Sequence, residues 1–160
     1  MLSTGRDTTL VPGTPPTPPR LFLAGVTADR GLLQGGWWPR SWEPVAELPG
    51  LVLALCAWHG PIHEIHLNRD TWQRRYGRLA VAAGAVLLGW PPHLGPALLT
   101  AVGDHDYHIN LLVVPPTAAI AAARHAMTLA TDPHNTLLAP QILAAAAGKA
   151  VDLTGRISQT

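Results

Sequence analysis

The chain has 160 residues, enough for one domain of ordinary size with a core that needs neither disulfides nor metals, and too few for a second full domain. Its hydrophobic fraction of 48% is globular, while the charged fraction of 13% is about half the usual share, so the surface has few charges and an oligomer or protein partner is expected. Eleven basic and ten acidic side chains give a formal charge of +1 with no Lys/Arg run, which argues against a nucleic-acid partner.

The single cysteine, Cys56, lies within the apolar run Leu51 to Trp58 and has no intrachain partner, which fits a buried, inert thiol and a cytoplasmic location. The N-terminus, with Arg6 and Asp7 ahead of prolines, does not read as a secretory signal. No apolar segment reaches the ~18 residues of a membrane span, so no membrane association is expected.

Residues 1–19 hold five prolines among Ser, Thr and Gly, a composition that predicts a disordered, solvated leader outside the fold. The expected domain then covers 20–148, with 149–160 as a C-terminal tail. Leu21-Phe22-Leu23 reads as a first strand closed by Gly25, followed by a polar stretch to Gly31. The segment Gly35-Gly36-Trp37-Trp38-Pro39-Arg40-Ser41-Trp42 carries glycine and proline that forbid regular helix, so it is a loop or strand end. Ser41 is placed to cap a helix beginning near Glu43-Pro44. That helix is expected to stop at Pro49, and Gly50 to Trp58, apolar all round, to form a buried second run.

Gly60-Pro61 ends the helical region, and Ile62-His63-Glu64-Ile65-His66-Leu67 predicts a strand by its β-branched residues and partial alternation. Asn68-Arg69-Asp70 turns the chain. Leu79 to Val81, Ala85 to Trp90, Leu98 to Val102 and His108 to Val114 follow as strands separated by Gly or Pro, with Gly103-Asp104-His105-Asp106 closing the last hairpin. Thr117 is expected to cap a helix through Ala130 that turns Ile120, Ala123, Met127 and Ala130 to one side, and Thr136 to cap a last helix from Leu137 to Ala147, stopped by Gly148. The fold class predicted is α+β: an antiparallel sheet of about five to six short strands with helices packed on one face, two of them C-terminal.

Several separated segments are similar to one pattern. They are Gly35-Gly36-Trp37-Trp38-Pro39-Arg40-Ser41, Glu47-Leu48-Pro49, Asn68 with Trp72, Val86-Leu87-Leu88-Gly89-Trp90, Leu111-Leu112-Val113-Val114-Pro115-Pro116, and the tail from Asp132-Pro133 to Leu143. On these the chain resembles an uncharacterised actinobacterial domain-of-unknown-function family, numbered five-nine-nine-four, marked by G-x-W-W-P-R-S. Proteins of that pattern carry Asp where this chain has Gln34 and again where it has Gln73. The resemblance implies domain extent and no assigned activity.

Two constellations are candidates for function. Trp37, Trp38, Arg40 and Trp42, with Asn68, Asp70 and Trp72, could hold a small-molecule ligand or anchor a protein partner, because indole faces beside a fixed guanidinium suit either. The structural alternative is one indole filling the core while Arg40 ties the loop to backbone carbonyls or to Glu43 or Glu47. On an extended backbone Trp37 and Trp38 point to opposite sides. The eight histidines form the second constellation, with His59, His63, His66, His105 and His108 near Glu64, Asp104 and Asp106. His63-Glu64-Ile65-His66 lacks the i, i+4 spacing of a helical zinc pair, and Glu64, His66 and His108 would converge only if their strands were neighbours. There is no nucleophile elbow, phosphate loop or dinucleotide motif. The expectation is therefore a non-enzymatic binding or assembly domain of unknown function without a cofactor, using the Trp37 to Trp42 loop. The alternative is a small metal-dependent enzyme using the His/Asp/Glu cluster.

Overall fold

A computed structural model describes residues 9–13, 15–24, 33–81, 84–132 and 134–154, with the backbone alone for 149–154. The expected closure of the first strand at Gly25, the polar stretch to Gly31 and the end of the tail, 155–160, lie outside the described residues. Eight strands form one mixed sheet: β1 (Thr9–Leu10), β2 (Leu21–Leu23), β3 (Gly35–Trp37), β4 (Ile62–His66), β5 (Arg78–Val81), β6 (Gly84–Gly89), β7 (Leu98–Gly103) and β8 (His108–Val113). Three helices complete it: α1 (Pro44–His59), α2 (Ile120–Thr131) and α3 (Ala139–Thr154).

The strand order is β1-β5-β6-β4-β7-β8-β3-β2. Pairing is parallel at β1–β5, β4–β6 and β3–β8, and antiparallel elsewhere. The α+β class holds, but the expected antiparallel sheet of five or six strands becomes a mixed one of eight. Alternation marks a strand and says nothing of its neighbour, and the added strand β1 is only two residues long.

Helices also cover both faces rather than one. Alternate residues of β8 explain this: Ile109, Leu111 and Val113 pack in one core with Leu48, Leu51, Val52 and Leu55 of α1, while Leu112 and Val114 pack in a second with Ala123, Ala126 and Met127 of α2 and Ile142 of α3. A strand apolar on both sides needs a layer on each. Close approach sets the second layer: a methyl group on Gly36 would lie 2.9 Å from Met127 Sδ, so β3 admits α2 only because that residue has no side chain.

Pro49 does not end α1, which runs unbroken from Pro44 to His59. The proline removes one backbone hydrogen bond, and burial of Leu48, Leu51, Val52 and Leu55 on the same stripe offsets that loss. The cap is Glu43, whose carboxylate accepts from Val45 N–H at 3.3 Å. Ser41 stands one turn earlier, where its hydroxyl accepts from Glu43 N–H at 3.2 Å. Helix α2 begins at Ile120 after Ala119 with no side-chain cap, so Thr117 does not cap it, and Ile120 is exposed while Ala123, Met127 and Ala130 are buried. Helix α3 starts at Ala139 instead of Leu137. Asn135 and Gln141 accept from Leu137 and Leu138 N–H ahead of it, and the helix runs on through Gly148.

The proline-rich leader touches the domain at two places, Thr9–Leu10 and Thr17–Pro19, with most of its described residues exposed. Thr9 and Leu10 pair in parallel with Arg78 and Leu79, and Leu10 is 1% exposed within the first core. Further on, the Thr17 carbonyl rests against the α-carbon of Gly50, where a methyl group would lie 2.0 Å away. Composition counted prolines, and the burial of Leu10 was invisible to it.

Candidate functional site

The tryptophan motif is mostly turned inward. Trp37, the last residue of β3, is 1% exposed and stacks on Trp72 with ring centroids 5.7 Å apart, and Trp42 meets Trp72 edge-on at 5.1 Å. Trp72 is itself buried, so this indole trio knits the 38–43 loop to the 67–77 loop, helped by Gln73 N–H donating to the Trp42 carbonyl at 2.9 Å. Trp38 points the other way, as alternation requires, and its Nε1–H donates to the Pro115 carbonyl at 3.1 Å.

The guanidinium over an indole is not Arg40 but Arg20, centred 3.7 Å above the Trp38 ring and donating to the Trp38 and Pro39 carbonyls at 2.9 Å each. Burial lowers the Arg20 pKa from its ordinary value, with the Arg40 charge adding to the effect and Glu47 opposing it. Arg40 is exposed and donates to the Pro18 carbonyl at 3.0 Å, holding the leader. Its backbone N–H and the Ser41 hydroxyl both donate to the buried Glu47 carboxylate, at 3.0 and 2.9 Å. Asn68 is buried and fastens its own turn, accepting from Asp70 and Thr71 N–H and donating to the Leu94 carbonyl at 2.8 Å. Of the seven residues in the first constellation, only Arg40 and Asp70 are exposed, and Trp38 and Trp42 are half-buried.

The histidine constellation separates into pairs. Glu64 and His66 share a face of β4 and bond at 2.7 Å between Oε2 and Nε2, with the imidazole lying against the α-carbon of Gly89. His63 faces elsewhere and bonds Asp104. His108 sits opposite Val102 of β7, which in turn sits opposite Glu64, so it lies two strands, roughly 9.6 Å, from that carboxylate. Glu64, His66 and His108 therefore occupy one face without converging, and among the described residues no group of three or more His, Cys, Asp or Glu is disposed to hold a metal ion.

Sequence reasoning missed two further features. The same sheet face carries a row in register, Gly89, His66, Thr100 and Asn110, in which the Thr100 hydroxyl bonds the Asn110 side-chain oxygen at 2.8 Å. Gln34 extends it, its side-chain oxygen accepting from Asn110 N–H at 2.6 Å. Cavities adjoin both ends: about 470 Å³ beside His66, Gly89 and Trp90, and about 360 Å³ beside Asn110, Ala97 and Leu138.

The second missed feature is the outward side of α1. Ala46, Leu53 and Ala57 fall on one line at i, i+7 and i+11 and are exposed, Leu53 at 51%, while Gly50 between them is buried under Thr17; Val45 and Trp58, the latter at 71%, are exposed roughly 100° around the helix to either side of that line. A helix apolar all round announced itself in the sequence, but the expectation that it is buried holds for its inner side only. His59, in its last turn, has its pKa lowered by burial and lies 5.8 Å from the Tyr107 ring. Cys56 is half-buried against the first core.

Among the described residues no helix is long and apolar enough to cross a membrane. No curated protein and no solved structure matches the chain significantly. One family model does match, over residues 20–130, from the start of β2 through nearly all of α2. With most of the sheet and two of the helices inside that span, the chain belongs to the family of unknown function DUF5994.

Proposed function

We propose that this domain is a non-enzymatic assembly module that pairs with a second copy of itself through the outward side of α1. The observation that carries this reading is the line Ala46, Leu53 and Ala57, exposed and without a charged side chain, with Val45 and Trp58 exposed further round the helix on either side. The one acidic residue of α1, Glu47, is buried and engaged by Arg40 and Ser41. Such a face has nothing to offer an oppositely charged partner. It is complementary to another apolar surface, and an isologous pair supplies that surface with the same residues. Small alanines in line with Leu53 are the pattern in which a large side chain of one helix seats over a small one of its neighbour. The low charge content of the chain accords with a surface partly buried in an assembly.

This reading moves the interaction surface away from the Trp37 to Trp42 loop, whose indoles hold two loops together. The test is size-exclusion chromatography with light scattering on the full chain and on the double variant Leu53→Glu/Trp58→Glu. The full chain is expected at twice the 17.0 kDa monomer mass, and the variant at 17.0 kDa with an unchanged circular dichroism spectrum. A wild-type monomer across the accessible concentration range contradicts self-pairing and leaves this face to a different protein.

A further inference from the structure

The cavity of about 360 Å³ at the open end of the second core is lined by Leu33, Ala97, Leu98, Leu138, Pro140 and Asn110, among others, and Asn110 is the one polar side chain at its wall. Its size falls within the ~300–1,000 Å³ of small-molecule sites, and the mix of apolar lining with a single placed polar group is what such sites use to fix a ligand's orientation. The Asn110 carboxamide is held from two sides. Its side-chain oxygen is occupied by the Thr100 hydroxyl at 2.8 Å, and its backbone is clasped by Gln34, which accepts from Asn110 N–H at 2.6 Å and donates its own N–H to the Asn110 carbonyl at 2.8 Å. With the oxygen taken, the carboxamide NH₂ is the group left to face the cavity.

From this we infer that the cavity is a binding site for a small uncharged molecule with an apolar body and one carbonyl, the carbonyl accepting from Asn110 Nδ2. Among the described residues the lining carries no charged side chain, and this sets the class. A carboxylate or ammonium here would lose its hydration without gaining a counter-charge, whereas a neutral carbonyl needs a single donor. Because the lining comes from β7, β8, the start of α3 and the residues just before β3, β7 and α3, with none from α1, the site is separate from the α1 face and stands independently of self-pairing.

Two probes of nearly one shape separate the carbonyl from the apolar body: acetophenone, and ethylbenzene, which lacks the acceptor. Titrated into ¹⁵N-labelled full-length protein, acetophenone is expected to shift the Asn110 side-chain NH₂ resonances and the backbone amides of Ala97, Leu98 and Ala139. It should bind about two- to tenfold more tightly than ethylbenzene, the worth of one hydrogen bond of ~0.5–1.5 kcal/mol. Asn110→Asp keeps an oxygen for Thr100 while deleting the donor, so in this variant the acetophenone preference should vanish. Gly95→Leu adds a side chain at the cavity wall, where a β-carbon meets nothing within 4 Å, and should abolish binding of both probes without unfolding the domain. Absence of shifts at millimolar acetophenone, an equal response to the two probes, or an Asn110→Asp protein that retains the preference would each overturn the inference.

Discussion

At the residue scale, the motif that looked most like a binding surface is chiefly structural, and the reason is legible in single contacts. Alternation along β3 correctly sends Trp37 and Trp38 to opposite sides, and one of them does fill the core. Sequence could not reveal that Trp37 would find Trp72, or that the guanidinium over Trp38 would be Arg20, since partners 35 and 18 positions apart carry no signature of the pairing. Arg20 bonds two carbonyls and covers an indole, whereas Arg40 makes one exposed side-chain bond. Arg20→Ala is therefore expected to cost about 1–3 kcal/mol in urea melts and Arg40→Ala no more than about 1 kcal/mol. Equal costs would mean that the Trp38 stack contributes nothing. Gly50 offers a sharper sign test. By helix propensity alone Gly50→Ala would gain about 1 kcal/mol, yet its methyl group would lie 2.0 Å from the Thr17 carbonyl. We expect a net loss of about 1–3 kcal/mol, with faster proteolysis of the leader.

At the scale of elements, β2, β4, β5, β6, β7 and β8 lie close to where glycine, proline and alternation put them, and the 104–106 turn joins β7 to β8 as expected. Boundaries fared worse where tertiary packing overrides local chemistry. Pro49 sits inside α1 because four buried side chains of that helix favour continuity, and Gly148 does not stop α3. Among strand neighbours the β7–β8 hairpin was legible from its turn, but a parallel pair such as β4–β6 was not, since it depends on how the 67–77 connection crosses and not on either strand's composition. The leader is the clearest case, and it yields a prediction. Leu10→Ala should cost about 2–5 kcal/mol, as for a core leucine, whereas a solvated leader would give a change near zero. Chemical denaturation of the full chain decides between them. For α1, the same apolar composition that suggested burial leaves Leu53 and Trp58 in solvent, and this is the element on which the proposed assembly rests.

For the whole molecule, two cores lie on opposite sides of one sheet, and His59 stands in the last turn of the helix that covers the first. Its pKa is lowered by burial, so the unfolded chain binds the proton more tightly than the folded one does. Stability therefore falls as pH drops through the ordinary histidine value of 6.5, and the contribution is recovered at higher pH. In His59→Gln this part of the loss between neutral and mildly acidic pH should be absent, read as a smaller drop in melting temperature than in the wild type. An identical drop in both proteins would assign the pH dependence to other groups.

The proposed self-pairing through α1 would be an apolar contact, with a signature distinct from an ionic one, because screening by salt weakens charge pairs and leaves hydrophobic burial intact or stronger. The most direct measurement is sedimentation equilibrium of the full chain at low and at high salt. Our account predicts a mass of twice 17.0 kDa at both, with no loss of association as salt rises. A mass of 17.0 kDa under both conditions, or a dimer that dissociates as salt is added, would contradict it.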